Sequence, residues 1–180
     1  KSYTQATCYL YNGKPFMVGS LARLNVAKET LNKDTQISAA MALALFPSTN
    51  IYRNNLAQAI EILHSIDESI RILKNTKIAP EPIIKKSPKK GEGIGVIEAP
   101  RGTLYHKMSL DDKGIVTGGD IVVPTGQNQC NIEADVARLV EELLPKTPRA
   151  QIELEIEKLI RAYDPCMSCA SHFLKVKWIE

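Results

Sequence analysis

The chain has 180 residues and a formal net charge of +3, and 44% of its residues are hydrophobic. This length and apolar content suffice for one medium-sized folded unit with a real core. Acidic and basic residues are interspersed, so the charge favours neither nucleic acid nor a membrane surface as a partner. No apolar stretch approaches the roughly 20 residues of a membrane span, and the first residues lack a signal-peptide pattern, so a cytoplasmic protein is expected.

The four cysteines, at positions 8, 130, 166 and 169, are spread unevenly. Their spacing does not resemble the disulfide framework of a small secreted domain, so thiol or metal chemistry is expected. Cys8 and Cys130 stand alone and are interpreted as buried small residues. Cys166 and Cys169 instead form a Cys-x-x-Cys pair near the end of the chain.

The beginning of the chain predicts a turn followed by helices. Apolar and polar residues alternate around Asn12-Gly13, which predicts a hairpin or a short pair of strands. After Gly19 the apolar period becomes helical, and a second helical piece is expected in "ISAAMALALF" before Pro47. Both helical pieces are expected to be buried.

The clearest element is a long helix in "STNIYRNNLAQAIEILHSIDESIRILKN". Its apolar residues recur at intervals of three and four, which places them on one helical face. A side chain between Ser48 and Asn50 is expected to cap this helix by accepting a bond from a first-turn amide. His64 lies near the apolar face and is interpreted as a satisfied or exposed helical histidine rather than a metal ligand.

The rest of the chain predicts a small sheet and two further helices. The stretch "IAPEPIIKKSPKKGEG" has three prolines and no period and is expected to be an extended connection. Strands are predicted in "IGVIEAPRG", "TLYHKMSL" and "GIVTGGDIVVP", the last two joined at "DDKG". Helices are predicted in "NIEADVARLVEELL" and "PRAQIELEIEKLIRAY". The predicted fold class is therefore α+β, mainly helical, with long helices packed on a small antiparallel sheet.

The Cys-x-x-Cys pair permits several chemistries: a redox dithiol, half of a zinc or iron-sulfur site, or two ligands of a rarer metal. Its position after a predicted helix disfavours a thioredoxin-like dithiol. A haem attachment site would need a histidine directly after Cys169. A zinc site would need two more ligands, for which Cys8 and Cys130 are the candidates. A buried pair without metal is the remaining alternative.

Three motifs, in one order, resemble the large subunit of nickel-iron hydrogenases. "DPCMSCASH" at 164–172 is similar to that family's D-P-C-x-x-C-x-x-H signature. "EAPRGTLYH" at 98–106 and "VVPTGQN" at 122–128 are similar to its glutamate-x-proline-arginine-glycine and valine-proline-serine/threonine segments. "VGSLARLN" resembles a stretch upstream of them, and "NNLAQAIE" resembles a helix of the cytoplasmic, multisubunit group. The likeness thus covers nearly the whole chain.

The resemblance implies a nickel-iron centre. In that family four cysteine thiolates hold nickel, and two of them bridge to an iron that carries carbon monoxide and cyanide; soft thiolates suit such metals. Cys166 would be a terminal nickel ligand and Cys169 a nickel-iron bridge. The terminal thiolate would also be the base that takes a proton from dihydrogen. Two of the four thiolates are supplied here, so the chain is expected to be the C-terminal half of a large subunit.

The resemblance also assigns residues around the open metal position. Arg101 would lie over it, with Asp164 and Pro100 nearby, because a fixed positive group can polarise the substrate and organise the neighbouring carboxylate. The alternative role for Arg101 is a structural ion pair with Glu98 or Asp164.

Further residues would serve the iron and a second metal ion. Thr125, beside Pro124, would donate a hydrogen bond to a cyanide on iron; otherwise it is a turn threonine. His172 would bind a separate magnesium or iron ion, together with the main-chain carbonyl of Ile121 and a glutamate from the N-terminal half. His106 would be a second-layer or packing histidine.

The resemblance implies one unit at residues 1–172, the C-terminal half of a large subunit, followed by an extension at residues 173–180, "FLKVKWIE". Mature large subunits of the family generally end at the motif's histidine, after an endopeptidase removes a short extension. The resemblance therefore implies a precursor that is cleaved between His172 and Phe173. The alternation of apolar residues with lysines also fits an ordinary terminal edge strand.

The function implied by the resemblance is reversible heterolytic oxidation of dihydrogen to protons and electrons. Its implied partners are the N-terminal half of the large subunit, an iron-sulfur small subunit, electron-transfer subunits, maturation chaperones and the endopeptidase. The chain by itself is expected to be inactive. The alternatives are a non-catalytic hydrogenase-like assembly or binding subunit and a structural zinc-binding module.

Overall fold

The computed structural model describes residues 8–84, 87–166 and 175–179. These residues form six α-helices and three strands. In chain order they are α1 (Ser20–Ala27), α2 (Lys33–Ser38), α3 (Ala40–Leu43), α4 (Arg53–Asn75), β1 (Gly91–Ala99), β2 (Gly102–Leu110), β3 (Val116–Val122), α5 (Pro124–Leu143) and α6 (Arg149–Ala162). A single 3-10 turn, Lys28–Thr30, follows α1.

The three strands form one antiparallel sheet in the order β1-β2-β3. β1 and β2 pair along their whole length, from Gly91 opposite Leu110 to Ala99 opposite Gly102. β2 and β3 are joined at the predicted "DDKG" turn, where the amide of Gly114 donates to the carbonyl of Asp111. The register places the short β1–β2 connection, which carries Pro100 and Arg101, at one end of the sheet.

The buried core lies among the helices. It brings α1, α4 and α6 together with the segment that links α1 to α4, and its members are Leu21, Leu24, Leu31, Leu43, Phe46, Ile51, Ala57, Ile60, Leu159, Ala162 and Tyr163. The sheet contributes little to this buried core, since the large apolar side chains of β1 are exposed. None of the helices within the described ranges combines the length and the apolar composition that a bilayer span requires.

The predicted α+β fold class is confirmed. Several helices and strands begin or end at residues other than those predicted. The turn at Asn12-Gly13 is present, with both residues at positive φ, but it closes an isolated bridge between Tyr11 and Lys14 instead of a strand pair. The helical piece before Pro47 begins earlier than expected and is divided at Ala39 into α2 and α3.

The prediction that both early helical pieces are buried holds for one face of each only. Leu21, Leu24 and Leu43 enter the core, whereas Val26 and Met41 are exposed. Short helices bury one face only, so a run of apolar residues cannot all reach the same core.

The predicted cap of α4 is also wrong. The side chain of Asn50 accepts a hydrogen bond from the amide of Tyr52, two residues on, so it forms a local turn ahead of the helix. The helix begins at Arg53, and no side chain caps its first turn. α5 likewise begins seven residues before the predicted helix, because Pro124 occupies the first helical position, where a missing N–H costs nothing.

Cys8 and Cys130 form a disulfide, with Cα atoms 5.4 Å apart across 122 residues of sequence. Both are half-buried. The interpretation of these two cysteines as isolated buried residues is therefore wrong. Their pairing depends on how the segment before α1 runs along α5, where the side chain of Asn131 also donates to the carbonyl of Phe16 at 2.7 Å. The spacing of two cysteines in the sequence does not show whether their Cα atoms come close enough in the fold to form a disulfide.

Candidate active site

The candidate site begins where α6 ends. Asp164 has a φ of 51°, a left-handed conformation that stops the helix, and the following Pro165 cannot continue it. Just before this turn, the buried Tyr163 donates a 2.5 Å hydrogen bond from its hydroxyl to Asp135 of α5. Burial, that hydrogen bond and the charge of Asp135 all raise the pKa of Tyr163 above its usual range. The turn thus presents Asp164 and Cys166 from a well-anchored helix end.

Thr125 contacts the first cysteine of the motif directly. Its hydroxyl oxygen accepts a 3.0 Å hydrogen bond from the backbone amide of Cys166. Thr125 lies in the first turn of α5 and is only 8% exposed, and Cys166 is half-buried. Thr125 therefore joins two motifs that are 41 residues apart.

Arg101 contacts the same turn from the sheet. Its Nε donates to the main-chain oxygen of Asp164 at 2.9 Å, and its Nη2 donates to the Asp164 carboxylate at 3.1 Å. Both side chains are partly exposed. The predicted proximity of Arg101 and Asp164 is confirmed, and it coincides with the ion-pair alternative for Arg101. Glu98, the other proposed partner, pairs with Arg23 instead.

A polar stripe on α4 supports this site, and its members are Asn54, Gln58 and Glu61. The buried Asn54 accepts from the amide of Leu21 at 3.0 Å and donates to the carbonyl of Ala162 at 2.9 Å. Gln58 donates to the second carboxylate oxygen of Asp164 at 2.8 Å. Sequence reasoning missed these roles. The available signal was three polar side chains at i, i+4 and i+7 beside an apolar face of the same helix.

Arg23 of α1 forms the most extensive side-chain network near the site. It makes a bidentate pair with Glu61, at 2.6 and 2.5 Å, and also binds Glu98. Burial is the strongest influence and lowers the pKa of Arg23, but the hydrogen bonds and charges of the two glutamates raise it, with a net upward shift. The guanidinium is therefore fixed and charged.

The first turns of α5 hold the neighbouring segments in place. Gln127 donates to the carbonyl of Thr103 in β2 at 2.6 Å. Asn128 accepts from the amide of Val18 and donates to its carbonyl, at 2.9 and 3.1 Å. Both side chains are almost fully buried. The "VVPTGQN" motif therefore joins the sheet, the segment before α1 and Cys166, a role that the sequence alone did not suggest for Gln127 and Asn128.

The remaining predicted site residues lie in the turn between β1 and β2, at the start of α5, in β3, or outside the described residues. Pro100 lies in the β1–β2 turn beside Arg101, and Pro124 precedes Thr125 at the start of α5. Ile121 lies in β3 opposite His106 of β2. Cys169, His172 and Phe173 lie outside the described residues. Within the described ranges, no group of three or more His, Cys, Asp or Glu side chains is arranged to hold a metal ion.

His64 behaves as predicted for a satisfied helical histidine. Its Nδ1 accepts a 3.0 Å hydrogen bond from the amide of Asn32, which leads into α2.

Residues 175–179 form no strand, and Trp178 among them contacts α6. Trp178 donates from its indole nitrogen to Glu153 at 2.6 Å, and the guanidinium of Arg149 stacks 5.0 Å from its ring centre. The edge-strand alternative for this part of the tail is therefore wrong.

Solved structures share this arrangement of helices around a three-stranded sheet. A crystal structure of an NAD+-reducing [NiFe]-hydrogenase superposes with a TM-score of 0.66 at 26% identity, covering 89% of this chain and 36% of that one. A [NiFeSe] hydrogenase variant from Desulfovibrio vulgaris Hildenborough shares the fold, with a TM-score of 0.65 at 23% identity, covering 95% of this chain and 38% of that one. The fold and the Cys166 segment thus define a hydrogenase large-subunit architecture.

The sequence comparison gives the family. The profile of the nickel-dependent hydrogenases matches residues 1–172, and the chain belongs to that family. It is 35% identical over 170 residues to the alpha subunit of sulfhydrogenase 1 from Pyrococcus furiosus, covering 92% of this chain and 39% of that protein. It is also 35% identical over 165 residues to the beta subunit of the NAD-reducing hydrogenase HoxS from Cupriavidus necator, covering 87% and 34%. The chain therefore spans about two fifths or less of the length of these relatives.

Proposed function

We propose that this chain is part of a nickel-iron hydrogenase large subunit and supplies two of four nickel thiolates, Cys166 and Cys169. The reaction would be the reversible heterolytic oxidation of dihydrogen to protons and electrons. Support comes from membership of the nickel-dependent hydrogenase family and from the surroundings of Cys166, the one of the two cysteines that lies in the described residues.

One observation carries the proposal: side chains from three segments that are remote in sequence meet at the Asp164–Cys166 turn, one of them Gln58 of α4. Arg101 reaches it from the sheet across 63 residues, and Thr125 reaches it from α5 across 41 residues. A turn whose only role was to end α6 would not need a charged group and a buried hydroxyl from two other elements. Polar groups that converge on the segment carrying a nucleophilic cysteine are typical of a reaction site.

The side chains around Cys166 fit a thiolate-bound metal with anionic diatomic ligands. A hydroxyl has one proton and two acceptor lone pairs, so Thr125 can accept from the Cys166 amide and still donate its own proton. Pro100 and Pro124 directly precede Arg101 and Thr125 and add no backbone N–H there. Soft thiolates suit nickel and iron.

In the proposed reaction, side chains of this chain receive and position the proton. Nickel and iron, when bound, would supply the Lewis acidity that polarises dihydrogen. The Cys166 sulfur would then receive the proton, since a thiolate held deprotonated is a suitable base. Arg101 would keep a fixed positive charge beside it and hold the Asp164 carboxylate in one orientation.

A separate magnesium or iron ion is proposed at His172, with the main-chain carbonyl of Ile121 as a second ligand. Ile121 lies in β3, and its side chain is exposed. A further ligand would come from a glutamate outside this chain.

The rest of the large subunit is the first proposed partner. The relatives are more than twice as long as the matched region. The chain also exposes many apolar side chains on the second half of α4 and on β1, including Ile66, Leu73 and Ile94. Exposed apolar side chains concentrated on two elements favour contact with further protein. An iron-sulfur small subunit and electron-transfer subunits would complete the assembly, in the cytoplasm.

The tail is proposed to be a removable extension. Cleavage between His172 and Phe173 by an endopeptidase, after chaperone-assisted loading of metal, would release residues 173–180. The hydrogen bond and the ring contact of Trp178 both go to α6, to Glu153 and Arg149, which are not core residues. Removal is therefore expected to leave the core intact.

The disulfide argues against the alternative of a structural zinc site. A structural zinc site would need Cys8 and Cys130 as ligands, and these two sulfurs are bonded to each other. The same pairing removes them as additional nickel ligands.

Metal analysis and X-ray absorption at the nickel and zinc edges test the proposal. The chain assembled with the missing part of the large subunit should contain nickel and iron, show infrared bands of carbon monoxide and cyanide, and take up dihydrogen. The chain alone should hold no stoichiometric nickel. Zinc in place of nickel, or dihydrogen uptake by the chain alone, would contradict the proposal.

Two matched cysteine variants sharpen this test. Cys166→Ser replaces a proposed nickel thiolate and should abolish nickel binding in the assembled subunit. Cys130→Ser removes a sulfur that is bonded to Cys8 and should leave the nickel content unchanged.

A further inference from the structure

The β1–β2 turn that carries Arg101 is held by Arg23. Nη1 of Arg23 donates to the carbonyl of Ala99 at 3.1 Å, and its Nη2 donates to the carbonyl of Pro100 at 2.8 Å. These carbonyls belong to the two residues directly before Arg101. A guanidinium presents its donors in one rigid plane, so binding both carbonyls fixes the path of the turn.

Arg23 is itself fixed by carboxylates on two elements. Glu61 of α4 binds it through both oxygens, at 2.6 and 2.5 Å. Glu98 of β1 binds the same guanidinium and also accepts from Thr103 at 2.6 Å. Ser20 donates to Glu61 at 2.5 Å. The network leaves Arg23 little freedom, because each of its nitrogens has at least one acceptor.

The backbone packs closely at the same place. Gly19 has a φ of 108°, and a Cβ at this position would lie 3.0 Å from the Arg101 carbonyl oxygen. Gly102 has a φ of 132°, and a Cβ there would collide with the side chain of Val18. Two glycines therefore let the start of α1 approach the turn, which brings Arg23 within reach of its carbonyls.

Both partners of the Arg101–Asp164 pair are held in place by side chains of one helix, α4. Glu61 holds Arg23, which holds the turn before Arg101, and Gln58, one turn earlier on α4, holds the Asp164 carboxylate at 2.8 Å. Residues three apart lie on the same face of a helix. α4 thus fixes the relative position of two side chains that come from the sheet and from the end of α6.

We propose that Arg23, held by Glu61, is a positioning residue that sets the guanidinium of Arg101 against Asp164 beside Cys166. The proposal rests on the function proposed above for that site. It assigns a role to the arginine of "VGSLARLN" and to the glutamate of "NNLAQAIE". Arg23 acts through the backbone of Ala99 and Pro100 and makes no direct contribution to the chemistry.

The first test uses the full chain without metal. In the native protein the Nε–H of Arg101 donates to the Asp164 carbonyl, so its hydrogen exchange with water is slowed and can be followed by NMR of chains with ¹⁵N-labelled arginine. The Arg101→Lys variant assigns the resonance. We expect Arg23→Lys to accelerate this exchange by about tenfold or more, because lysine keeps the charge but cannot bind two carboxylates and two carbonyls at once.

Glu61→Gln is the second variant, and it should accelerate the same exchange because it loses the charged bidentate support of Arg23. Arg71→Lys is the control: Arg71 also pairs with a glutamate on α4, Glu68, on the exposed surface away from the turn. The control should leave the Arg101 exchange unchanged. Circular dichroism establishes that each variant is folded.

The second test measures the assembled hydrogenase. We expect Arg23→Lys to lower kcat for dihydrogen uptake by about 10- to 100-fold with KM and nickel content unchanged, since a small misplacement of a catalytic group has effects of that size. If the native assembly holds no nickel, the proposed function fails, and the exchange experiment still decides the role of Arg23.

Unchanged Arg101 exchange in folded Arg23→Lys and Glu61→Gln overturns the positioning role. Equal acceleration in the Arg71→Lys control overturns it as well. Loss of the fold in both test variants would assign Arg23 a purely structural role and would also reject the proposal.

Discussion

The hydroxyl oxygen of Thr125 accepts a hydrogen bond from the backbone amide of Cys166 at 3.0 Å. This bond joins the first turn of α5 to the turn after α6, and it fixes the main chain at the first cysteine of the motif. The same hydroxyl keeps its proton for another acceptor.

Replacing Thr125 with valine should therefore destabilise the fold. Valine has nearly the same shape but no acceptor, so the Cys166 amide would lose its partner, at a cost of about 1–3 kcal/mol in the free energy of unfolding. Urea denaturation measures the change. Thr125→Ser keeps the hydroxyl and should be closer to the native stability; equal stability of the two variants would contradict the assignment.

The buried Asn54 is expected to be indispensable for packing α4 against α1 and α6. Asn54→Leu leaves the Leu21 amide and the Ala162 carbonyl without their partner, and we expect a loss of about 3 kcal/mol by chemical denaturation. Asn55→Leu is the matched control, because Asn55 is the next residue and is exposed. Its effect should stay within about 0.5 kcal/mol.

The Cys8–Cys130 disulfide should stabilise the chain by constraining its unfolded state. The bond closes a loop across 122 residues, and a loop of that order corresponds to about 3–5 kcal/mol. Denaturation curves with and without reductant measure the difference, which should vanish in the Cys130→Ser variant. Alkylation of Cys8 in the unreduced, denatured protein would show that the bond is absent.

Alkaline pH should unfold the protein through Tyr163. The pKa of its hydroxyl is raised above the ordinary value of 10.0 by burial and by Asp135, so the folded state holds this proton more tightly than the unfolded chain. The stabilisation is fully present below about pH 10 and is lost as the pH rises further.

Tyr163→Phe should flatten that alkaline loss of stability, while lowering stability at neutral pH through the missing bond to Asp135. Unfolding monitored by circular dichroism between neutral and strongly alkaline pH gives both quantities. Tyr52→Phe provides the control, since Tyr52 is exposed. An unchanged slope in Tyr163→Phe would refute the role of this hydroxyl.

Trp178 is the only tryptophan of the chain, so its fluorescence reports directly on the tail. Glu153→Ala removes the acceptor of the indole N–H, and we expect the emission to move to longer wavelength as the ring becomes more hydrated. Glu157→Ala, one turn later on α6, should leave the emission unchanged. A native emission already typical of free tryptophan would contradict docking of the tail.

Much of the fold follows from local patterns. α4 and α6 follow from their three- and four-residue apolar spacing, and the "DDKG" turn follows from residues that favour tight turns. The boundaries that were wrong depend on context. Pro124 permits α5 to start early because its position at the helix end requires no N–H, and Asn50 uses its side chain in a local turn instead of capping α4.

The amino-acid sequence was enough to identify the motifs around the candidate site and the α+β class, and the family resemblance of those motifs implied the proximity of Arg101 to Asp164. The side chains that hold these residues in place are visible only in the folded chain: Thr125 binds Cys166, Gln58 binds Asp164, and Arg23 binds the turn before Arg101. The same holds for the Cys8–Cys130 disulfide. Periodicity and turn preferences are local properties of the chain, whereas hydrogen bonds between remote residues depend on how the helices and the sheet pack together.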